Sequence, residues 1–330
     1  MPPTTAEVYT FPPNAQTPNA IAARTNCLCR FRGPGLECEQ TNNRGQTAIL
    51  RLDQYPDLLA RYQRQTIPLG VCSVMDAKGP WIVCPNRLFY TGPASPLLEH
   101  SIYHSWGFNP GDSLAMWREV RINNKKRSKV FNYNFDYIFR RVIDAKKMIY
   151  DDVPFVIEVM SCSTSGGGIS ADFAEALGSI IPARPRGGPT LNKRQVLGRM
   201  MSQLVAKAEV VHNWGGKTIW IVQDLFWSYV NETTGFDMDE FRDDPNGNMV
   251  VIVRNLQTQG YDPADPQADC YPLRLDRLLR GWDRFERSRG ENSVGRDFVS
   301  LLNAPFTPDR QIIVRKTTER PPTAIVTCAV

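Results

Sequence analysis

The spacing of apolar residues changes along residues 131–230 between the period of a strand and that of a helix, and this order of elements constrains the fold. The stretch opens with FNYNFDY, in which aromatic and polar residues alternate as on a strand, and PFVIEVM from Pro154 is a short β-branched run typical of buried strands. From Asn192 to His212 apolar residues recur at spacings of three and four, as on an amphipathic helix. TIWIVQD from Thr218 indicates a strand covered on both faces, and LFWSYV begins another helix. This order of elements predicts an α/β core.

The flanking segments predict additions to this core. The segment from Pro96 to Glu119 is predicted to be helical in parts, and Gly260 to Pro272 has the composition of a loop. LRLDRLLRGWDRFERS after it is predicted to be a surface helix. The N-terminus, rich in Pro, Thr and Ala, is expected to be poorly ordered or to lie along the surface.

Composition limits the functional classes only loosely. The 330 residues carry a formal net charge of +5 with a pI of about 8.8, which permits a nucleic-acid partner without requiring one. The sequence shows neither the uninterrupted apolar run of roughly 18 residues that a membrane helix needs nor the apolar region of a secretory peptide. We therefore expect a cytoplasmic protein with reduced thiols.

Five of the eight cysteines fall within residues 27–84, which indicates a metal-stapled module. Cys29 with Cys38 and Cys72 with Cys84 supply two pairs of soft ligands, and a hairpin would bring the second pair together. Four thiolates suit a structural zinc or iron ion. The alternative is a set of buried free thiols, which pack as small hydrophobes. The remaining cysteines are Cys27, a spare that could replace Cys29, and three expected ordinary thiols, Cys162, Cys270 and Cys328.

Three acids are candidates for binding a divalent cation: Glu119 in WREVRI, Asp136 in the alternating strand, and Glu158 in the buried strand. A buried Glu is costly without a partner, and hard cations such as Mg²⁺ prefer carboxylate oxygens. An acid on one strand followed by Glu-x-Lys on the next is the core pattern of PD-(D/E)xK nucleases, and Asp136 and Glu158 match its acidic part. Spacing alone equally allows a strand-end Asp and a salt-bridged Glu at a sheet edge.

A resemblance over a longer span is more specific. GVCSV, VCPNR, WREVRI, NFDYIF, VIEVM, QLVAKAEVVHNWG and IVQD follow one another in the order typical of NotI-like restriction endonucleases, so the span from Cys29 to Tyr229 resembles that family. The resemblance implies an α/β fold of the PD-(D/E)xK class, in which helices flank a mixed central sheet, with a small four-cysteine module near the N-terminus. The expected divisions are an N-terminal extension (1–25), the cysteine module (26–95), a catalytic core (96–260) and a C-terminal helix and strand extension (261–330).

The family also implies an activity. A homodimeric type II restriction enzyme binds a palindromic site in double-stranded DNA, often GC-rich, and hydrolyses it with Mg²⁺ to leave 5′-phosphate and 3′-hydroxyl ends. It works in the cytoplasm of a bacterial or archaeal cell beside a companion DNA methyltransferase. By position, the expected Mg²⁺ ligands are Glu119, Asp136, Glu158 and the main-chain carbonyl of Val159. One iron or zinc ion per chain is expected on Cys29, Cys38, Cys72 and Cys84.

Met160 departs from the pattern. The nuclease class has Lys at this position and the family tends to have Gln, and either hydrogen-bonds water better than a thioether does. One interpretation keeps cleavage, with Met160 packing and Lys207 or Gln203 reaching the cleft from the amphipathic helix. A second keeps DNA binding and loses cleavage. A third hypothesis makes the cysteine site an electron-transfer centre of rubredoxin type.

Contacts with DNA are predicted from basic residues. The run Lys125, Lys126, Arg127 and Lys129 either grips phosphate or forms a solvated loop. Arg184 and Arg186 are candidates for reading bases in the major groove. The three histidines, His100, His104 and His212, are too scattered for a metal site or a catalytic triad.

Overall fold

A computed structural model of the chain describes residues 3–32, 35–40, 48–89, 108–109, 111–123, 132–151, 153–165, 168–181, 190–213, 216–234, 249–257, 271, 273–280 and 321–327. Within these ranges the side chains at 122, 123, 132, 165, 201–206, 209, 210, 212, 213, 278–280, 326 and 327 are not described.

Strands and short helices alternate through the first 90 residues, and longer elements follow. The strands are β1 Thr4–Val8, β2 Ile49–Arg51, β3 Thr66–Pro68, β4 Val71–Asp76, β5 Gly79–Ile82, β6 Ser113–Asn123, β7 Asn132–Asp144, β8 Ile149–Tyr150, β9 Phe155–Met160, β10 Thr164–Ser165, β11 Thr190–Leu191, β12 Lys217–Gln223, β13 Met249–Leu256, β14 Leu273–Arg280 and β15 Ala324–Thr327. The helices are α1 Pro18–Thr25, α2 Pro56–Tyr62, α3 Pro85–Phe89, α4 Gly168–Ala176, α5 Lys193–Asn213 and α6 Asp224–Thr234. None of these helices, which are those of the described ranges, is long and apolar enough to span a membrane.

A mixed sheet of eight strands forms the centre of the fold. Its order is β14-β13-β12-β9-β7-β6-β15, and β8 pairs with β7 beside this path. β12 runs parallel to β9 and β13, and the other pairs along the path are antiparallel. Apolar residues of α5 and α6 pack with Trp220 and Val222 on one face, and residues of α3 pack with Ile219 and Ile221 on the other. The chain is therefore a mixed α/β protein with a large sheet flanked by helices.

The sequence periods predict the central elements correctly. Strands β7, β9 and β12 and helices α5 and α6 are all confirmed at the expected places. β9 is buried at every position, because β7 and β12 pair with its two edges and apolar clusters cover both of its faces.

Two stretches that lie within segments predicted to contain helix are strands, and most of the remainder of those segments lies outside the described residues. Ser113 to Glu119 belongs to β6, which lies between β7 and β15, and Leu273 to Arg280 forms β14 on the open side of β13. Leu, Met, Arg and Glu in the first stretch and Leu and Arg in the second favour helices locally, but pairing with a neighbouring strand overrides so weak a preference. The alternation of Leu273 and Leu275 with exposed Arg274 is a strand signal that the leucine content obscured.

The N-terminal segment is packed, contrary to expectation. β1 joins β4 and β5 in a three-stranded antiparallel sheet, and Val8 and Phe11 are buried. Glu7 of β1 forms a buried ion pair with Arg87 of α3, with 3.0 Å between Oε1 and Nη2, and Ser73 Oγ donates to its other oxygen. Local sequence does not reveal these partners, because they lie some 65 to 80 positions away. The N-terminus is therefore a structural part of the cysteine-containing region.

Candidate active site and cysteine cluster

Three acids lie in one row across three neighbouring strands of the large sheet. The antiparallel register of β6 and β7 sets Glu119 opposite Asp136, between two paired positions. The last pair of β7 with β9 is Tyr137 with Ile157, and one further step along both strands sets Asp136 opposite Glu158. Opposed residues of antiparallel strands have Cβ atoms roughly 5 Å apart. Strand pairing therefore gathers three carboxyl-bearing residues from distant parts of the sequence.

The backbone at Glu119 interrupts the regular strand. Its φ of +48° lies in the left-handed region, which costs a non-glycine residue about 1–3 kcal/mol. Side-chain alternation shifts at the same level of β7, where Phe135 packs with Ile138 in one cluster and Tyr137 packs with Phe139 in another. In an undisturbed strand, residues two apart share a face. Like a β-bulge, this irregularity changes the direction of the side chains beside it.

Glu158 is fully buried and pairs with Lys207 of α5. Nζ of Lys207 lies 2.6 Å from Oε2, and the lysine is only 5 % exposed. Oε1 of Glu158 has no hydrogen-bond partner among the described residues. Burial and the neighbouring Asp136 carboxylate raise the pKa of Glu158 to about 8, although Lys207 acts in the opposite direction. A buried oxygen without a partner, beside a second carboxylate, is a position that a divalent cation can satisfy.

Asp136 is half-buried at the point where the pairing of β7 with β9 ends. Its Oδ2 accepts a hydrogen bond of 2.8 Å from the N–H of Val159. Burial raises the pKa of Asp136, the charge of Lys207 and this hydrogen bond oppose the rise, and Glu119 adds to it. Two adjacent acids with raised pKa values bind protons in place of a cation, so the donor set fits Mg²⁺ chemically.

Met160 lies two residues beyond Glu158 and is buried in an apolar cluster that includes Met200 and Val222. Its thioether therefore makes core contacts. The ammonium group beside Glu158 comes instead from Lys207, which occupies a buried position of α5 between Met200 and Val211. Of the two residues expected to reach the cleft from this helix, Lys207 contacts an acid, and the side chain of Gln203 lies outside the described part of the chain.

A pocket of about 280 Å³ opens beside Glu119 and Asp136. Its lining includes Arg118, Tyr137 and Asn86, none of which was identified from the sequence. In a regular strand the side chain of Arg118 would point to the face opposite Glu119, and that of Tyr137 to the face opposite Asp136. Because the backbone is irregular at Glu119, all four residues line the same pocket. The sequence signal for these residues is merely their adjacency to the acids.

The four cysteines that were predicted to hold a metal converge in one buried cluster. The thiol of Cys29 is hydrogen-bonded to that of Cys38, and the thiol of Cys72 to that of Cys84. The two pairs also interact electrostatically, so they lie close to each other. The hydrogen bond with Cys38 lowers the pKa of Cys29 to about 7, whereas the same kind of contact together with burial raises the pKa of Cys38 and of Cys72. Cys29 therefore ionises readily, whereas Cys38 and Cys72 resist ionisation, and a bound cation would be needed to hold them together as thiolates.

Backbone pairing explains how each pair of cysteines forms. Residues 27–29 and 36–38 are joined by two main-chain hydrogen bonds, which bring Cys29 and Cys38 together. The β4–β5 hairpin brings Cys84 to Cys72, and the N–H of Cys84 donates to the carbonyl of Cys72 at 3.2 Å. The thiol of Cys27 instead hydrogen-bonds Tyr9 and lies 3.7 Å from a guanidinium nitrogen of Arg64, apart from the cluster's thiol pairs.

Both the acid row and the cysteine cluster consist of residue types that bind metals, but their side chains are engaged in contacts with one another or with Lys207. Among the described residues, no group of three or more His, Cys, Asp or Glu side chains is arranged as a ready metal-binding set. Glu158 is engaged by Lys207, and the thiols are engaged by one another. Ligand binding at either site therefore requires these contacts to exchange for bonds to the ion.

Several predicted residues lie outside the described part of the chain. These are the basic run Lys125, Lys126, Arg127 and Lys129, the pair Arg184 and Arg186, the histidines His100 and His104, the side chain of His212, and Cys270 and Cys328. Cys162 is described and buried, and burial raises its pKa to about 12, as expected of an ordinary thiol. Comparison with known proteins found no family model that matches the chain and no curated protein that matches it.

Proposed function

We propose that the chain is a divalent-metal-dependent endonuclease of double-stranded DNA, with the PD-(D/E)xK core and the restriction activity that its resemblance to NotI-like enzymes implies. The observation that carries the proposal is the row of Glu119, Asp136 and Glu158 across three strands, closed on one side by Lys207. Burial raises the pKa of two of these carboxyls, which means that their ionised forms destabilise the fold. A group of acids that lowers stability in this way favours a functional role over a structural one.

The proposed reaction is hydrolysis of a phosphodiester. The oxygen of a water molecule forms a bond to phosphorus, the bond from phosphorus to the 3′ oxygen breaks, and the 3′ oxygen leaves with a proton. Mg²⁺ bound to these acids would neutralise charge on the phosphate and lower the pKa of the attacking water. The chain's own part is to hold the carboxylates: the N–H of Val159 orients Asp136, and Lys207 compensates charge at Glu158.

Lys207 takes the role that a strand lysine has in this nuclease class. It comes from helix α5, so Met160 is free to pack in the core. Its Nζ also lies 5.5 Å from the centre of the Phe135 ring, so the amine contacts an aromatic side chain as well as Glu158. We infer that Lys207 orients the water or a phosphate oxygen once Glu158 binds the cation.

The cysteine cluster is proposed to hold one structural iron or zinc ion. Four buried thiols from two hairpins fit a tetrahedral sphere of soft ligands and leave no position open for chemistry. Elemental analysis of the purified protein is expected to find about one iron or zinc ion per chain. A rubredoxin-like visible absorption would identify iron, and absence of both metals would contradict this part of the proposal.

The test of the enzymatic proposal is digestion of a long DNA of known sequence with Mg²⁺ or Mn²⁺. Discrete fragments with 5′-phosphate ends are expected from the wild type, and Asp136→Ala should leave the DNA intact. Equal cleavage by the variant would refute the assigned site. Gel filtration of the complex would test the expected homodimer.

A second function, DNA binding without cleavage, has one observation in its favour. Met160 is a core residue and supplies no polar group to the cleft. DNA that is retained but uncut with both metals would support this alternative. The ammonium group of Lys207 beside Glu158 favours the enzyme.

A further inference from the structure

The pocket beside the acids contains a cation that the proposed metal chemistry does not use. Arg118 precedes Glu119 on β6, is half-buried, and lines the same pocket as Glu119 and Asp136. Among the described residues no carboxylate forms an ion pair with it. By contrast Arg32, on the same pocket, is paired with Glu39 at 2.7 Å. Arg118 is therefore a charge held in the cleft without an acidic partner in the described structure.

Neutral groups fix the position of the Arg118 guanidinium. Nη2 donates to Oδ1 of Asn86 at 2.8 Å and to the hydroxyl of Tyr137 at 3.4 Å, and the guanidinium carbon lies 5.5 Å from the centre of the Tyr137 ring. Such contacts orient a guanidinium and leave its charge uncompensated. An oriented guanidinium has the fork of N–H donors that matches the oxygens of a phosphate.

We propose that Arg118 binds a backbone phosphate of the DNA in this pocket and that Asn86 and Tyr137 hold it in place. The inference rests on the proposed nuclease function, since it assigns the substrate's phosphate to the pocket beside the acids. It also explains the irregular backbone of Glu119. The left-handed residue lets Arg118 and Glu119 line one pocket, where a regular strand would send them to opposite faces.

The proposal further gives the cysteine region a part in substrate binding. Asn86 lies two positions after Cys84, in the first turn of α3, and Arg32 and Gln40 of the same region also line the pocket. The position of Arg118 thus depends on how the cysteine cluster fixes α3.

The experiment measures how DNA binding depends on salt for the wild type, Arg118→Gln, Arg118→Lys and Arg51→Ala, with a duplex DNA in Ca²⁺. Arg118→Gln keeps an N–H donor for Asn86 and removes the charge. The slope of log K against log salt should fall by about 0.9 in this variant, which is the loss of one phosphate contact. Arg118→Lys should keep the slope. Arg51→Ala removes a charge that is exposed and paired with Asp53, so its slope should equal that of the wild type.

Cleavage in Mg²⁺ separates this proposal from the proposed function. Arg118→Gln and Arg118→Lys should both cleave roughly a hundredfold more slowly, because the positioned donor that holds a backbone phosphate beside the acids is lost or displaced. A wild type that cleaves, with an unchanged salt slope in a folded Arg118→Gln, would overturn the phosphate site alone. A wild type that binds without cleaving, with a reduced slope in Arg118→Gln, would overturn the nuclease alone. A wild type that does not bind DNA would overturn both.

Discussion

Glu158→Gln should change how the stability of the metal-free protein depends on pH. The buried carboxyl of Glu158 has a pKa of about 8, against 4.5 for an unperturbed glutamic acid. The folded protein therefore holds a proton that the unfolded chain has already released in this range. Its contribution to stability is fully present below about pH 4.5 and is lost as pH rises to about 8.

The magnitude follows from the two pKa values. Each pH unit between them changes the free energy of unfolding by about 1.4 kcal/mol, so the total loss is about 5 kcal/mol, of which roughly 3 kcal/mol has occurred by pH 7. Glutamine has a similar shape and does not titrate. Relative to the wild type, Glu158→Gln should thus gain about 5 kcal/mol between pH 4.5 and pH 8.

The assay is urea unfolding at intervals from pH 4.5 to pH 9 in buffer without divalent cations. Glu232→Gln serves as the control, since Glu232 forms an exposed ion pair with Lys78 and should leave the pH dependence unchanged. Saturating Mg²⁺ should flatten the wild-type curve, because a bound cation holds the carboxylate ionised in the folded state. Parallel curves for wild type and Glu158→Gln, within about 1 kcal/mol, would refute the reasoning.

Three further results are expected. Lys207→Met should slow cleavage roughly a hundredfold, and Lys207→Arg should retain more activity; equal rates for Lys207→Met and the wild type, measured on plasmid DNA, would exclude a role for the amine. Cys84→Ser should lose the bound iron or zinc by elemental analysis, whereas Cys162→Ser, a buried thiol outside the cluster, should keep it. Gly216→Ala should lower stability by about 1–3 kcal/mol in urea, since its Cβ would lie within 3.0 Å of the Pro154 carbonyl oxygen; an unchanged midpoint would contradict that close approach.

The central elements were predictable because each carries its own period. β9 is an unbroken apolar run and α5 has an apolar stripe, and both patterns are visible within a short window of sequence. The acids Asp136 and Glu158 followed from this framework, since two adjacent strands bring their acids together. The pairing of Cys72 with Cys84 followed from the turn between them.

The features that escaped prediction depend on contacts between distant segments. β6 has residues that favour a helix, and it is a strand because β7 and β15 flank it. The buried pair of Glu7 with Arg87 joins residues 80 positions apart. Arg118 was missed for a related reason: its direction is set by the left-handed backbone at the next residue, and no periodicity encodes such a conformation.

The row of acids depends on the correct alignment of three strands during folding. Glu119, Asp136 and Glu158 meet because β6, β7 and β9 pair in one particular register. A slip of one residue in either pair sends an acid to the opposite face of the sheet. A chain with misaligned strands would therefore lack the carboxylate cluster even if it were compact. Only chains whose three strands have aligned correctly have this row, so under the proposed nuclease function an incompletely folded molecule would not cut DNA.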